Sequence, residues 1–176
     1  MKAQLEEQFQ QAGLSDFKWI NPCDIVVAHW VRIKCLFGCA EYGNASCPPN
    51  TPSVHDCIEF LKEYNQAVLF KLTVNASKDN YPAAWSTKMT EALMGIERQL
   101  FLQGYYKVFL LNQTCCSLCP SCEKEKNLCN NKKKSRPSAE AFAIDVYSTA
   151  RNAGFDLRVI NKPETEISRI AVLLIK

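Results

Sequence analysis

Apolar positions along this chain fall into blocks whose period alternates between that of a helix and that of a strand. Met1 to Ala12 reads as a short polar helix stopped by Gly13. Asp24 to Ile33 (DIVVAHWVRI) is β-branched and apolar, and predicts a strand running straight into Cys35. After Pro48-Pro49 the pattern predicts Thr51 as an N-cap with Pro52 at the first helical position. Val54, Cys57, Ile58 and Leu61 then recur at helical spacing as far as Asn65. Ala67 to Val74 (AVLFKLTV) reads as a buried strand, and Met89 to Gln103 as a helix with Met89, Ala92, Leu93, Ile96 and Leu100 on one face and Gly104 as its stop. Tyr106 to Leu111 predicts a further strand. Pro137 and Ser138 open a helix that runs to about Ala153, with Glu140 in its first turn and Gly154 after it. Phe155 to Ile160 and Ile167 to Ile175 read as two last strands, antiparallel neighbours joined by a polar loop holding Pro163.

Strands alternating with helices and closed by a hairpin predict an α/β fold: a single layered domain spanning residues 1–176, with a mixed β-sheet flanked by helices. A chain of 176 residues buries a proper core without staples. No linker divides it, and no repeat is evident beyond a strand followed by cysteines, which occurs twice. In open α/β sheets ligands collect at such strand ends, so both cysteine clusters are expected in loops at one edge of the domain.

Composition changes the picture mainly through its 10 cysteines. The N-terminal residues hold no apolar stretch like that of a signal peptide, and no apolar run approaches the ~18 residues of a membrane helix. The expected address is the cytoplasm, where thiols stay reduced, which argues against a disulfide framework. Seven cysteines are clumped instead: Cys35, Cys39 and Cys47 as C-x3-C-x7-C-P-P, and Cys116, Cys119, Cys122 and Cys129 as C-x2-C-x2-C-x6-C. Thiolates at such short intervals converge on one small object, and a metal centre is the usual one. The formal charge of +3 counts them as neutral. Two anionic clusters would bring the total near zero, so the charge suggests no nucleic-acid partner.

In the second cluster, three cysteines at successive two-residue intervals reach three corners of an iron–sulfur cubane, and Cys129 is the nearest candidate for the fourth. Zinc is the alternative, but it usually takes two well-separated C-x2-C pairs, which leaves the third interval redundant. Cys115, next to Cys116, reads as a spare, because adjacent cysteines do not easily ligate one iron. The first cluster offers three close ligands, with Pro48 turning the chain away after Cys47 and Gly38 and Gly43 suiting a backbone folded around a cofactor. A three-cysteine cubane leaves one iron open. Cys23, Cys57, His29 and His55 are the other candidates for that vacancy, but Cys57 lies on its helix's apolar stripe, His29 inside an apolar strand and His55 at a surface position, and Cys23 stays undecided.

The strings VRIKCLFGCAEYG and CPPNTPS, Tyr64, ERQLFLQGYYK, CSLCPSC and RPSAEAFAIDVYSTARNAG resemble the predicted metal-binding proteins of domain of unknown function 2284, over about Val31 to Gly154. The resemblance implies a cysteine-ligated metal centre at the seven matched cysteines and carries no reaction with it. Two departures stand out: Thr114-Cys115 where the family pattern has Gly-Pro, which offers an alternative ligand, and the basic Lys132 to Lys134 after Cys129.

Lys132 to Lys134 with Arg136 reads most simply as a solvated loop, and more sharply as a docking patch for an acidic redox partner or a counter-charge to a cluster. Glu140 and Asp145 are five apart and do not share a helix face, a poor acid–base pair. No phosphate loop, Ser/His/Asp set or nucleic-acid module is present. The expectation is therefore a cysteine-rich redox module with two [4Fe-4S] centres and a redox partner protein, its oligomeric state open. An iron–sulfur enzyme that binds substrate at the open iron and a structural zinc protein are the alternatives.

Overall fold

The structure, a computed structural model, describes residues 2–75, 82–159 and 166–176. Four strands form one open sheet in the order β1-β2-β4-β3: β1 Phe17–Ile20, β2 Ala67–Asn75, β3 Phe109–Leu111 and β4 Glu166–Leu174. β4 inserts between β2 and β3, pairing with β2 from Ala67↔Leu174 to Asn75↔Glu166 and with β3 from Phe109↔Leu174 to Leu111↔Val172. Among the described residues, five helices accompany it: α1 Lys2–Gln11, α2 His29–Gly38, α3 Val54–Lys62, α4 Ala83–Leu102 and α5 Val146–Asn152.

Both faces of the sheet are covered, so the central strands carry apolar residues at nearly every position rather than at alternate ones. Ala67, Leu69, Ile170, Val172 and Leu174 face one core with Cys57 and Leu61 of α3 and Ala150 of α5. Val68, Phe70, Ala171 and Leu173 face the other, with Leu5 and Phe9 of α1 and Leu93, Ile96 and Leu100 of α4. The layered α/β architecture expected from the periodicity is present. Its sheet pairs antiparallel at all three described strand pairings, where the sequence suggested a mixed one; a parallel link occurs at the isolated Asn112–Ser138 bridge.

Several elements differ from the expectation. Asp24 to Ile33 is not a strand: Val27 makes one bridge to Ile144, and the chain then coils into α2, which buries only Val31 and leaves Trp30, Ile33 and Phe37 exposed. The β-branched run misled because strand propensity yields to tertiary context, and after the single bridge at Val27 the chain turns into α2. The first cysteine cluster consequently follows a helix, and only the second follows a strand. β1 (FKWI) carries no clear alternation and escaped notice. α3 is capped by Ser53, whose side chain exchanges hydrogen bonds with Asp56 in a capping box, while Thr51 Oγ1 instead accepts from Arg32 Nη1 at 3.1 Å. The helix foreseen from Pro137 is a short 3-10 turn, Glu140–Phe142, then left-handed Ala143 (φ 59°), then α5 capped by Asp145. Residues 155–159 form no strand, and β4 takes β2 and β3 as neighbours; Met1, Ile160 and the Pro163 loop lie outside the described residues.

The sheet also fixes the long loop after β3. Asn112 N donates to Pro137 O at 2.8 Å and Ala139 N to Asn112 O at 3.2 Å, so residues 113–136 leave and return at one point. Gln113 Nε2 donates to Ser86 Oγ and Asn112 Nδ2 to Thr90 Oγ1, pinning the start to α4. At the return, Arg136 Nε donates to both carboxylate oxygens of buried Glu97, at 2.8 and 2.9 Å, and Glu97 also accepts from Leu110 N. Arg136 is therefore not part of a solvated basic run, unlike exposed Lys132, Lys133 and Lys134. Breaking a buried pair strands a charge, so Arg136→Ala should lower stability to urea by about 3 kcal/mol; Lys133→Ala should stay within about 0.5 kcal/mol of the parent.

Candidate metal centre

Cys116, Cys119, Cys122 and Cys129 all line one cavity, together with Ala45, Ser46, Asn131 and Ser135. The loop reaches this arrangement through tight turns, including a 3-10 turn at Lys126–Leu128 that Cys129 ends. Asn131 Nδ2 donates to Cys119 Sγ at 3.0 Å, and Lys126 Nζ donates to Ser135 Oγ at 3.1 Å on the cavity's rim. Burial raises the Cys116 thiol, partly opposed by backbone hydrogen bonds from Leu118 and Arg136. Amide donors aimed at sulfur favour the thiolate, the form a metal binds.

The first three cysteines occupy α2 and the turns after it. Cys35 and Cys39 are four residues apart at the end of α2, a helical interval that puts both on one face. The C-x3-C spacing carried that signal, which the strand reading obscured. Cys35 Sγ approaches Glu140 O at 4.0 Å. Residues 40–50 then fold through successive turns: Tyr42 N to Cys39 O, Asn44 N to Glu41 O, Cys47 N to Asn44 O and Gly43 N to Pro48 O. Gly43 takes φ 90°, a conformation that side chains resist, and the Pro48-Pro49 peptide is cis. Cys39 is exposed and Cys47 buried. Burial pushes the Cys47 thiol up to about 12, and the neighbouring Cys115, Cys39, Glu41 and Cys35 push it the same way.

The two loops are clamped together. Ala45 N donates to Glu123 O at 2.9 Å, Asn50 Nδ2 to Lys124 O at 2.8 Å, and Lys124 Nζ to Asn44 Oδ1 at 2.6 Å. Asn50 Nδ2 also donates to Asn44 O and Gly43 O within its own loop. Arg32 of α2 holds the other side, donating to Pro52 O and Ala141 O. Neither asparagine nor Arg32 was singled out from sequence, which carries no signal for them.

The remaining candidates lie apart from these thiols. Cys57 sits in the core of α3, its Sγ donating to Pro52 O at 3.8 Å. Cys23 is exposed in a 3-10 turn at Pro22–Asp24. His29 is exposed at the start of α2, not buried in a strand, and His55 is exposed on α3 as expected. Among the described residues, no three His, Cys, Asp or Glu side chains are arranged to hold a single metal ion. Also among them, no helix is long and apolar enough to cross a membrane.

The class so defined is a cysteine-rich α/β layered protein whose thiols are gathered in paired loops. The chain belongs to the family described as predicted metal-binding protein, domain of unknown function 2284, whose profile matches residues 18–175. No curated protein and no solved structure matches it.

Alkylation reads these environments directly, because rate follows the thiolate fraction and access. In the metal-free chain at about pH 8, iodoacetamide should modify exposed Cys23 first and Cys47 and Cys57 last, as seen by mass spectrometry. The two slow thiols are held up to about 12 and about 11. Their rates should therefore still climb about tenfold per pH unit above pH 9.

Proposed function

We propose that this protein is an iron–sulfur redox module with two [4Fe-4S] centres, which exchanges single electrons with a partner protein. Cys116, Cys119, Cys122 and Cys129 would hold one centre, and Cys35, Cys39 and Cys47 would supply thiolates to the other. One observation carries the reading: four thiols spaced C-x2-C-x2-C-x6-C line a common cavity. Their donor set is all sulfur, as iron–sulfur centres require. They line one space together, and a cubane would give each thiolate its own iron. When bound, such centres supply one-electron oxidation and reduction. The chain's own part is to exclude water from Cys47, to turn hydrogen-bond donors towards sulfur, and to place cationic Lys126 beside the cavity.

A second reading has its own observation. A largely apolar pocket of about 650 Å³ lies beside Cys35 and Cys39, lined by Trp30, Phe37, Glu140 and Tyr147 among others. An open iron at the three-cysteine site would face it, as a Lewis acid for a bound substrate.

Protein purified without oxygen should be brown, contain iron and acid-labile sulfide in equal amounts, and give two distinguishable EPR signals on reduction. Cys47→Ala should remove one signal and Cys122→Ala the other. A colourless protein retaining zinc alone would sink both iron readings.

The Asn131 amide supplies a further test. Hydrogen bonds to cluster sulfur stabilise the more negative reduced state, so Asn131→Ala should make the midpoint potential of one centre more negative. Redox titration followed by EPR should find the other centre unmoved, and an unchanged pair of potentials would count against a centre at Cys119.

A further inference from the structure

The second cysteine loop returns against α4, and an open groove of about 610 Å³ lies between them. One helix face forms its length: Glu91, Met94, Gly95, Arg98 and Phe101 follow one another at the three- and four-residue steps that share a face. Leu118, Lys133, Lys134 and Arg136 make the opposite wall. A concave, largely apolar space of this size with a few charged groups is the usual form of a small-molecule site.

The charges in the groove do not balance. Glu97 is held by Arg136, which leaves Glu91 against Arg98, Lys133 and Lys134, all of them exposed. Among the described residues, none of these three cations has a salt-bridge partner. Between the charges the floor is apolar. Phe101 is 56% exposed and Met94 half-buried, a ring and a thioether that both favour an aromatic neighbour. A guanidinium such as that of Arg98 stacks on rings as well.

Gly95 keeps the floor open. A glycine inside a helix weakens it relative to alanine. Packing within the chain does not require one here, because a Cβ would meet no neighbouring heavy atom within 4 Å. The wall also adjoins the second cysteine site, since Leu118 and Arg136 are the residues whose backbone hydrogen-bonds to Cys116.

We propose that this groove binds a small aromatic anion, a ring system bearing one carboxylate, sulfonate or phosphate. The ring lies over Gly95 between Met94 and Phe101, and the anionic group meets Arg98, Lys133 and Lys134. The site is separate from the apolar pocket beside Cys35, and the inference does not rest on the identity of any metal.

Fluorescence titration of the full chain with anilinonaphthalene sulfonate, an aromatic sulfonate, tests it. Binding should saturate, and the double variant Lys133→Ala/Lys134→Ala should weaken it about tenfold through lost charge-assisted contacts. Naphthoate should displace the probe, while uncharged naphthamide and aliphatic octanoate should each do so about tenfold less well. Gly95→Glu should abolish binding, because it fills the floor with a carboxylate; the fold should survive, since Glu is the better helix former and has room. Four results would overturn the proposal: no displacement by naphthoate, equal displacement by naphthamide, equal displacement by octanoate, or unchanged binding in Gly95→Glu. Loss of the signal in Phe37→Ala instead would place the probe in the pocket beside Cys35 and overturn it too.

Discussion

The pairing of β2 with β4 is the constraint on which everything else rests. Nine consecutive residues of each strand are in register, and alternate side chains enter two different cores. A slip of one residue would send Val68, Phe70 and Leu173 to the α3 side and Leu69 and Val172 to the α1 side, leaving neither core packed. Because β4 is last in the chain yet lies between β2 and β3, β3 can be placed only once β4 is present. The long cysteine loop begins where β3 ends, so the second site inherits its position from that central pair.

The loops themselves have little apolar material with which to fold. Residues 114–134 contribute nothing to either core, and most are exposed. What orders them is polar: the return bridge at Asn112, the Glu97–Arg136 pair, and the hydrogen bonds that tie residues 44–50 to Glu123 and Lys124. Loops organised this way gain much of their stability from a ligand, since metal binding draws on sites that the unfolded chain does not possess. Charge points the same way. The formal +3 is reached with thiols neutral, and two anionic centres would shift it to near balance, with Lys126 and Lys124 already at the seam.

The sequence made the layered α/β class and the second cysteine set readable, because both depend on short-range spacing: Ala67 to Val74 is apolar throughout, and C-x2-C-x2-C-x6-C closes over a few turns. It misrepresented whatever depends on distant partners. DIVVAHWVRI has strand propensity, yet it makes a single bridge at Val27 and its second half is α2, so tertiary context overrode propensity. Thr51 and Ser53 are both competent caps, and Arg32, nineteen residues away, decides between them by occupying Thr51. Asn50 and Asn131 have no signature at all, since an amide's value lies in what it reaches.

What Asn50 reaches bears on how the two sites relate. If one centre were complete and the other open, they would be a store of electrons and a place of reaction, and the seam between them would be incidental. The bonds from Ala45 N to Glu123 O and from Asn50 Nδ2 to Lys124 O make that seam part of the fold, since they hold the two cysteine loops against each other. The exposed Trp30, Ile33 and Phe37 on α2 line the apolar pocket beside Cys35 and Cys39. Under the redox reading proposed above, that apolar surface beside the first cysteine loop would be the place for a partner to dock, with the second loop held next to it by the clamp.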